Sequence, residues 1–347
     1  MRSRRDRGLT GYVLRRLLQG VGVLWAAYTI AFVVLYLLPS DPVRIMLAGS
    51  GTEFANPDPA AVAALEAQYG FDKPVIVQYV TSLGRALTGD LGTSIQRSDE
   101  VTSMLAAALG HTAVLGGVAF GLALVGGLLL AIPAAFTRRP SVRQTLLGVP
   151  SVAVSVPTFW TGLLLTQVVS FQLGWVDVFD QHSVGALLLP AVTLAIPTSA
   201  YIAQVLSKSL LSTLREPYTE VIRSHGASEA RIVLVSALRN ASLPLLTMIG
   251  VIVGNLLAGS VVVEAVFARD GIGNMTFQAV AAQDIPVVMG VVLLAAAIFV
   301  VISIAVDLVY PLLDPRVMIR EGDTPPAAAP IEVAADVTAA EPEVVRP

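Results

Sequence analysis

The sequence predicts an all-α polytopic membrane protein: six transmembrane helices, with both termini on the cytoplasmic side. Three observations carry this. Of the 347 residues, 55% are hydrophobic and only 14% charged, against about 25% charged in an ordinary soluble domain, and the mean hydropathy is +0.74. The apolar residues gather into six uncharged runs, 17–40, 101–137, 144–176, 181–207, 240–263 and 285–306. Each meets the rule that about 20 helical residues cross about 30 Å of hydrocarbon. Lys and Arg are retained on the cytoplasmic side of short loops, and with the N-terminus inside only Arg44, Lys73, Arg85, Arg97 and Arg269 of the 22 basic residues fall outside. Continuous runs point to helices, because barrel strands alternate over about ten residues.

The first span is placed at 14–38, after a cytoplasmic N-terminus, 1–13, that carries Arg2, Arg4, Arg5 and Arg7. A cleaved signal peptide also starts basic, but its apolar core is shorter and ends in small residues; this run leaves through Leu38-Pro39-Ser40-Asp41-Pro42. Residues 41–105 form an extracytoplasmic subdomain. Within it 59–69 suits a short helix, and Val75, Tyr79 and Leu83 at i, i+4 and i+8 suit an amphipathic helix on the membrane surface or on neighbouring spans. Gly89-Asp90-Leu91-Gly92-Thr93-Ser94 reads as a turn. Span two is placed at 112–136, where Gly116-Gly117 and Gly126-Gly127 permit close helix approach. Span three occupies 146–172 and span four 186–206, kinked by Pro150, Pro157, Pro190 and Pro197. Span five lies at 243–263. The outer segment 264–286 contains a turn at Gly271-Ile272-Gly273-Asn274 and a short helix over 276–282, and span six follows at 287–310. The six-span body thus covers 14–320, and 321–347, rich in Pro, Ala and acidic residues, is a disordered cytoplasmic tail.

Several chemistries are excluded. With no cysteine there is no disulfide, thiol nucleophile or Cys-ligated metal. No Gly-x-x-x-x-Gly-Lys-Ser/Thr loop occurs, so the chain has no P-loop for ATP. The runs hold no mid-span ionisable residue of the kind ion coupling requires, and no intramembrane catalytic constellation. His111 and His182 lack metal-ligand spacing and read as interfacial. Glu264 and Asp307 stand at span ends, where water reaches, and read as solvated.

The inner loop 207–242 is too long merely to reconnect two spans. Glu216-Pro217 starts a helix, with an acid at its positive end and proline where a missing N–H costs nothing. That helix ends near His225 at Gly226, suited to a left-handed cap, and Ser228 caps a second helix that runs through Arg231 and Arg239 into span five. Helix, glycine turn and helix make a rigid knuckle suited to a partner's groove.

Here the sequence resembles the membrane-spanning permeases of ABC importers, specifically the dipeptide and oligopeptide group. The family's coupling motif, Glu-Ala-Ala, three residues, Gly and a later Leu-Pro, is matched by Glu220-Val221-Ile222, Arg223-Ser224-His225, Gly226 and Leu243-Pro244, with Ala237-Leu238-Arg239-Asn240-Ala241 preceding the Leu-Pro. Val221 and Ile222 replace the two alanines, and Ser224-His225 the usual Ala-Lys. Tyr12 to Leu18, Leu37 to Pro42 (with Ser40 for glycine), Tyr69 to Pro74, Gly89 to Ser94, Val263 to Phe267 and Asp284 to Val288 are also similar to the family. The resemblance implies the ABC importer permease fold, with Tyr218, Glu220, Val221, Ile222, Arg223, His225, Gly226, Ala227 and Glu229 as the coupling surface. It implies a multi-pass inner-membrane subunit, itself no enzyme, importing di- or oligopeptides by alternating access. The implied partners are a second, homologous permease in a heterodimer of which this is the first member, two cytoplasmic ATPase subunits carrying the ATP and Mg, an extracytoplasmic substrate-binding protein and membrane lipid, with no nucleic acid. A nickel or other small-solute permease is the alternative, and an ion-coupled secondary transporter a more distant one.

Overall fold

In a computed structural model of the protein the described residues are 2–37, 72–178 and 184–313, with the isolated positions 60, 63 and 67. The expected helix at 59–69 falls almost wholly outside them, as do His182, the segments 38–42 and 69–71, and the tail 321–347. Regular structure among the described residues is helical, apart from one antiparallel bridge, Thr93 to Glu100.

Among the described residues ten helices follow in order: α1 Arg2–Leu37, α2 Val75–Leu87, α3 Val101–Phe136, α4 Pro140–Ser155, α5 Thr158–Leu165, α6 Val184–Thr213, α7 Pro217–Ser224, α8 Glu229–Val266, α9 Ile272–Ala281 and α10 Ile285–Leu313. Helix α5 runs on into a π-helical turn, Thr166–Gln172, and α8 passes through another, Ile232–Ala237. Among the described residues five continuous helices, α1, α3, α6, α8 and α10, are long and apolar enough to cross a membrane.

The expected third span is a correction. Residues 146–172 do not make one kinked helix; α4 and α5 meet at 94°, and together they are long and apolar enough for a sixth crossing, as a broken span or a re-entrant loop. Val156 is extended (φ −87°, ψ 126°), as the ring of a following proline requires, and Pro157 stands at the N-cap of α5. Pro150 lies inside α4, and Pro190 and Pro197 inside an unbroken α6. Helix α3 starts eleven residues earlier than placed, at Val101, because Val101 and Leu105 are buried against α9 and α10. Helix α8 starts at Glu229, directly after Ser228, and runs through Arg231 and Arg239 into the fifth span as expected.

The centre is α3 packed on α6 and α8. Leu115, Ala119, Ala123, Gly127 and Ala131 form a buried stripe at every fourth residue of α3, facing Leu194 and Ile202 of α6 and Ile252 and Leu256 of α8. A Cβ at Gly127 would press on the Ile202 side chain, so the small residues set how closely the two helices approach. A second cluster joins the start of α3 to α9 and α10, and a third joins the ends of α3 and α6 to Ala237 and Ala241 of α8. Helix α1 packs through Tyr28 and Phe32 on α2 and α10, and its remaining surface exposes Leu14, Leu18, Val21 and Ile30.

Candidate functional site

Helix α7 is built as its sequence demands. Glu216 is extended at the N-cap (φ −68°, ψ 142°) and Pro217 occupies the first turn. The helix is anchored by Thr219, which is buried and donates its hydroxyl to the Thr213 carbonyl at the end of α6, 3.1 Å away. At the other end Gly226 adopts φ +82°, a conformation that costs an L side chain about 1–2 kcal/mol. Its N–H reaches the Arg223 carbonyl at 3.0 Å. Ser228 then caps α8 by accepting from the Arg231 N–H. The knuckle is therefore present as expected, with the π-helical turn immediately after it; such turns recur at functional sites.

Arg223 is the clamp. Its guanidinium donates to Glu220 at 2.6 Å on its own helix and to Glu229 at 2.8 and 3.3 Å across the glycine turn, which raises its pKa further above the ordinary arginine value, Glu229 contributing most. Tyr218 accepts from the Asn240 amide at 3.0 Å, a second tie between α7 and α8. The nine expected residues thus divide by role. Tyr218, Ile222, Arg223 and Ala227 are half-buried and hold the knuckle, while Glu220, Val221, His225, Gly226 and Glu229 are exposed. His225 spends a ring N–H on the Val221 carbonyl at 2.7 Å. Beside the knuckle, Lys208, Ser212, Arg215 and Glu216 line a cavity of about 440 Å³ at the end of α6. Thr219 escaped sequence reading, since a threonine inside a short polar helix carries no periodic signal.

At the opposite ends of α3 and α8 lie two buried carboxylates. Glu264 was expected in water; instead it is 1% exposed. One oxygen accepts from Thr112 of α3 at 2.8 Å and the other from the N–H groups of Gly273 and Asn274 at 2.7 and 3.2 Å. Thr112 in turn accepts from the Ile272 N–H at 2.8 Å. The segment 271–274 is the first turn of α9, not a free turn, and a helix start is where a carboxylate is best placed. A Cβ at Gly273 would lie 2.6 Å from the Ser260 carbonyl oxygen, so glycine lets α9 sit directly on α8. Asp284, also buried, accepts from Ser94 at 2.5 Å and from the Ile95 and Gln96 N–H groups at 3.2 and 3.3 Å. Arg97 reaches Gln278 of α9 at 3.0 Å. The backbone donors that reveal both carboxylates come from residues distant in sequence or from helix geometry, which explains why no spacing announced them.

Residues 127–319 match the family described as binding-protein-dependent transport system inner membrane component, and residues 9–115 match the N-terminal region of such components. A Brucella suis biovar 1 protein named as a peptide permease is 34% identical over 323 residues, covering 89% of this chain and 99% of that protein. The chain belongs to this family. Such a permease is a multi-pass inner-membrane subunit of an ABC importer, a transport component and not an enzyme, whose ATPase is a separate subunit. A dipeptide transport system permease of Alkalihalophilus pseudofirmus is 29% identical over 337 residues, again covering 89% of this chain and 99% of its own. The fold of the permease is shared with a chain of the MetNI methionine ABC transporter in inward-facing conformations, at a TM-score of 0.51 and 19% identity, over 60% of this chain and 96% of that one.

Proposed function

We propose that this permease carries short peptides into the cytoplasm by alternating access, and that residues 207–242 dock the ATPase, with Tyr218, Glu220, Val221, Ile222, Arg223, His225, Gly226, Ala227 and Glu229 as the coupling surface. The observation that carries this is the knuckle: an eight-residue helix fastened to α6 by Thr219 and to α8 by Arg223 and Tyr218, yet presenting Val221 to solvent. An element tied to two spanning helices moves them when it is moved. The distribution of basic residues supports an orientation with both termini inside, which puts the knuckle on the ATP side. In this arrangement 14–320 forms the permease body, 41–105 its outer subdomain, 1–13 and 321–347 the cytoplasmic ends, ATP and Mg sit on the partner ATPases, and a second homologous permease completes the pathway. The names of the relatives, peptide and dipeptide permeases, support peptide as cargo.

Replacing Gly226 by valine in the assembled transporter tests the coupling. The expected outcome is subunits that still copurify, with peptide uptake reduced at least tenfold per ATP hydrolysed. Normal ATP-driven uptake with unchanged ATPase docking refutes the assignment. Labelled dipeptide uptake, competed by unlabelled peptides but not by nickel complexes, tests the cargo.

A further inference from the structure

Asn255 stands at hydrocarbon depth with nothing in this chain to bind. The uncharged run of α8 spans 240–263, which puts Asn255 about 22 Å past its start and about 12 Å short of its end at 1.5 Å per residue. Its side chain is exposed and makes no hydrogen bond among the described residues. Such a carboxamide does not face lipid, because losing its water without gaining a partner is costly, and polar groups within spans turn toward a bundle interior or a water-filled cavity. The other exposed faces obey this rule. Exposed positions of α1 from Val21 to Val34, of α3 from Ala113 to Leu129 and of α10 from Phe299 to Leu308 are all apolar or glycine.

A second polar arc lies beside the first. Asn255 shares an arc of about 80° with Thr247, Val251, Ala258 and Val262, all exposed, at 100° per residue. On α6, Tyr201, Gln204, Lys208, Ser212 and Arg215 share an arc of about the same width and are all exposed. Neither Tyr201 nor Gln204 makes a side-chain hydrogen bond among the described residues. Both arcs turn away from α3. The α6 arc lies opposite Ser199, which meets α3 at Gly126, and the α8 arc is about 120° from the core residues Ile252 and Leu256. Helices α6 and α8 touch where Leu194 packs on Gly259, so the two arcs make one face, on the side that α3 leaves uncovered.

That face is wet rather than sealed by a neighbouring helix. Toward the end of α6 it runs into the cavity of about 440 Å³ lined by Lys208, Arg215 and Glu216, and a helix laid over it would strand two cations with one carboxylate away from water. In the other direction the α6 arc continues through Pro190, Thr193 and Leu194, which are buried. Helix α6 therefore opens the face toward the knuckle and closes it at its far end.

We propose that this face is a wall of the translocation pathway, and that Asn255 hydrogen-bonds the backbone amides of peptide cargo passing along it. A carboxamide donates and accepts at once, as a peptide group does, and so meets a peptide whatever its side chains. The cargo rests on the peptide reading proposed above; the wall does not.

The test uses the assembled transporter in nanodiscs. The chain has no cysteine, so Asn255→Cys, Tyr201→Cys and the lipid-facing reference Val301→Cys each supply one thiol, and the intact mass of the chain counts its reaction with a charged, water-soluble methanethiosulfonate. Asn255→Cys and Tyr201→Cys should react at least tenfold faster than Val301→Cys in at least one nucleotide state. Reaction as slow as that of Val301→Cys in every state sets the face against lipid or a partner helix and overturns the wall. Saturating dipeptide should slow the labelling of Asn255→Cys at least threefold, and Asn255→Leu should raise the KM for dipeptide uptake at least fivefold. A reactive thiol that no solute protects, with KM unchanged in Asn255→Leu, overturns the cargo contact. Protection by a nickel complex and not by dipeptide upholds the wall and overturns the peptide reading alone.

Discussion

Glu264 is held by three donors and by its position at the start of α9, and the consequences are local and measurable. Thr112→Val deprives the buried Ile272 N–H of its acceptor and the carboxylate of one donor. An unmet buried polar group costs about 1–3 kcal/mol, so the purified transporter should melt several degrees lower. Glu264→Ala, which strands Gly273 and Thr112, should cost more, and the double variant should cost less than the sum because both changes break one network. Additive losses would mean that the network is absent. Sequence position showed that Glu264 ends an apolar run, but not that a helix start would fold back over it. Gly226 is the contrasting case, since a glycine after a short capped helix announces its own positive φ.

Helices α7 and α9 are the two short elements on which the spanning helices converge, one at each end of α3 and α8. Their legibility differs for a physical reason. The cap residues of α7, Glu216, Pro217 and Gly226, lie within one stretch of eleven residues, so its bounds could be read directly. Helix α9 is fixed by Asp284 and Ser94, which are 190 residues apart, and its start was mistaken for a turn because Gly271 and Gly273 serve close approach to α8. Two predictions follow from this division. Asp284→Ala should raise amide hydrogen exchange in 94–97 and 272–284 while leaving 217–231 unchanged; equal change at both ends would deny that α9 is held separately. Arg223→Gln should do the reverse, loosening 217–231 only, and because the clamp is exposed, high salt should reproduce part of its effect on the wild type. The bent pair α4–α5 was half legible: the proline was visible, but a 94° turn depends on what the two halves pack against.

For the molecule as a whole, apolar run length sufficed to anticipate the helical class and the five continuous spans among the described residues, because the bilayer sets the length of any crossing helix. Which helices form the centre was not legible from apolar content, since α10 is more apolar than α3, and only the every-fourth small residues of α3 mark it as the packed one. The central claim is that the knuckle faces the cytoplasm and docks the ATPase. The chain has no cysteine, so Val221→Cys supplies a unique thiol on an exposed position. In intact cells it should resist a membrane-impermeant maleimide, and in membranes it should cross-link to an ATPase subunit in a nucleotide-dependent manner. Labelling from outside intact cells, or a freely reactive thiol that never cross-links to the ATPase in the assembled transporter, would contradict the account.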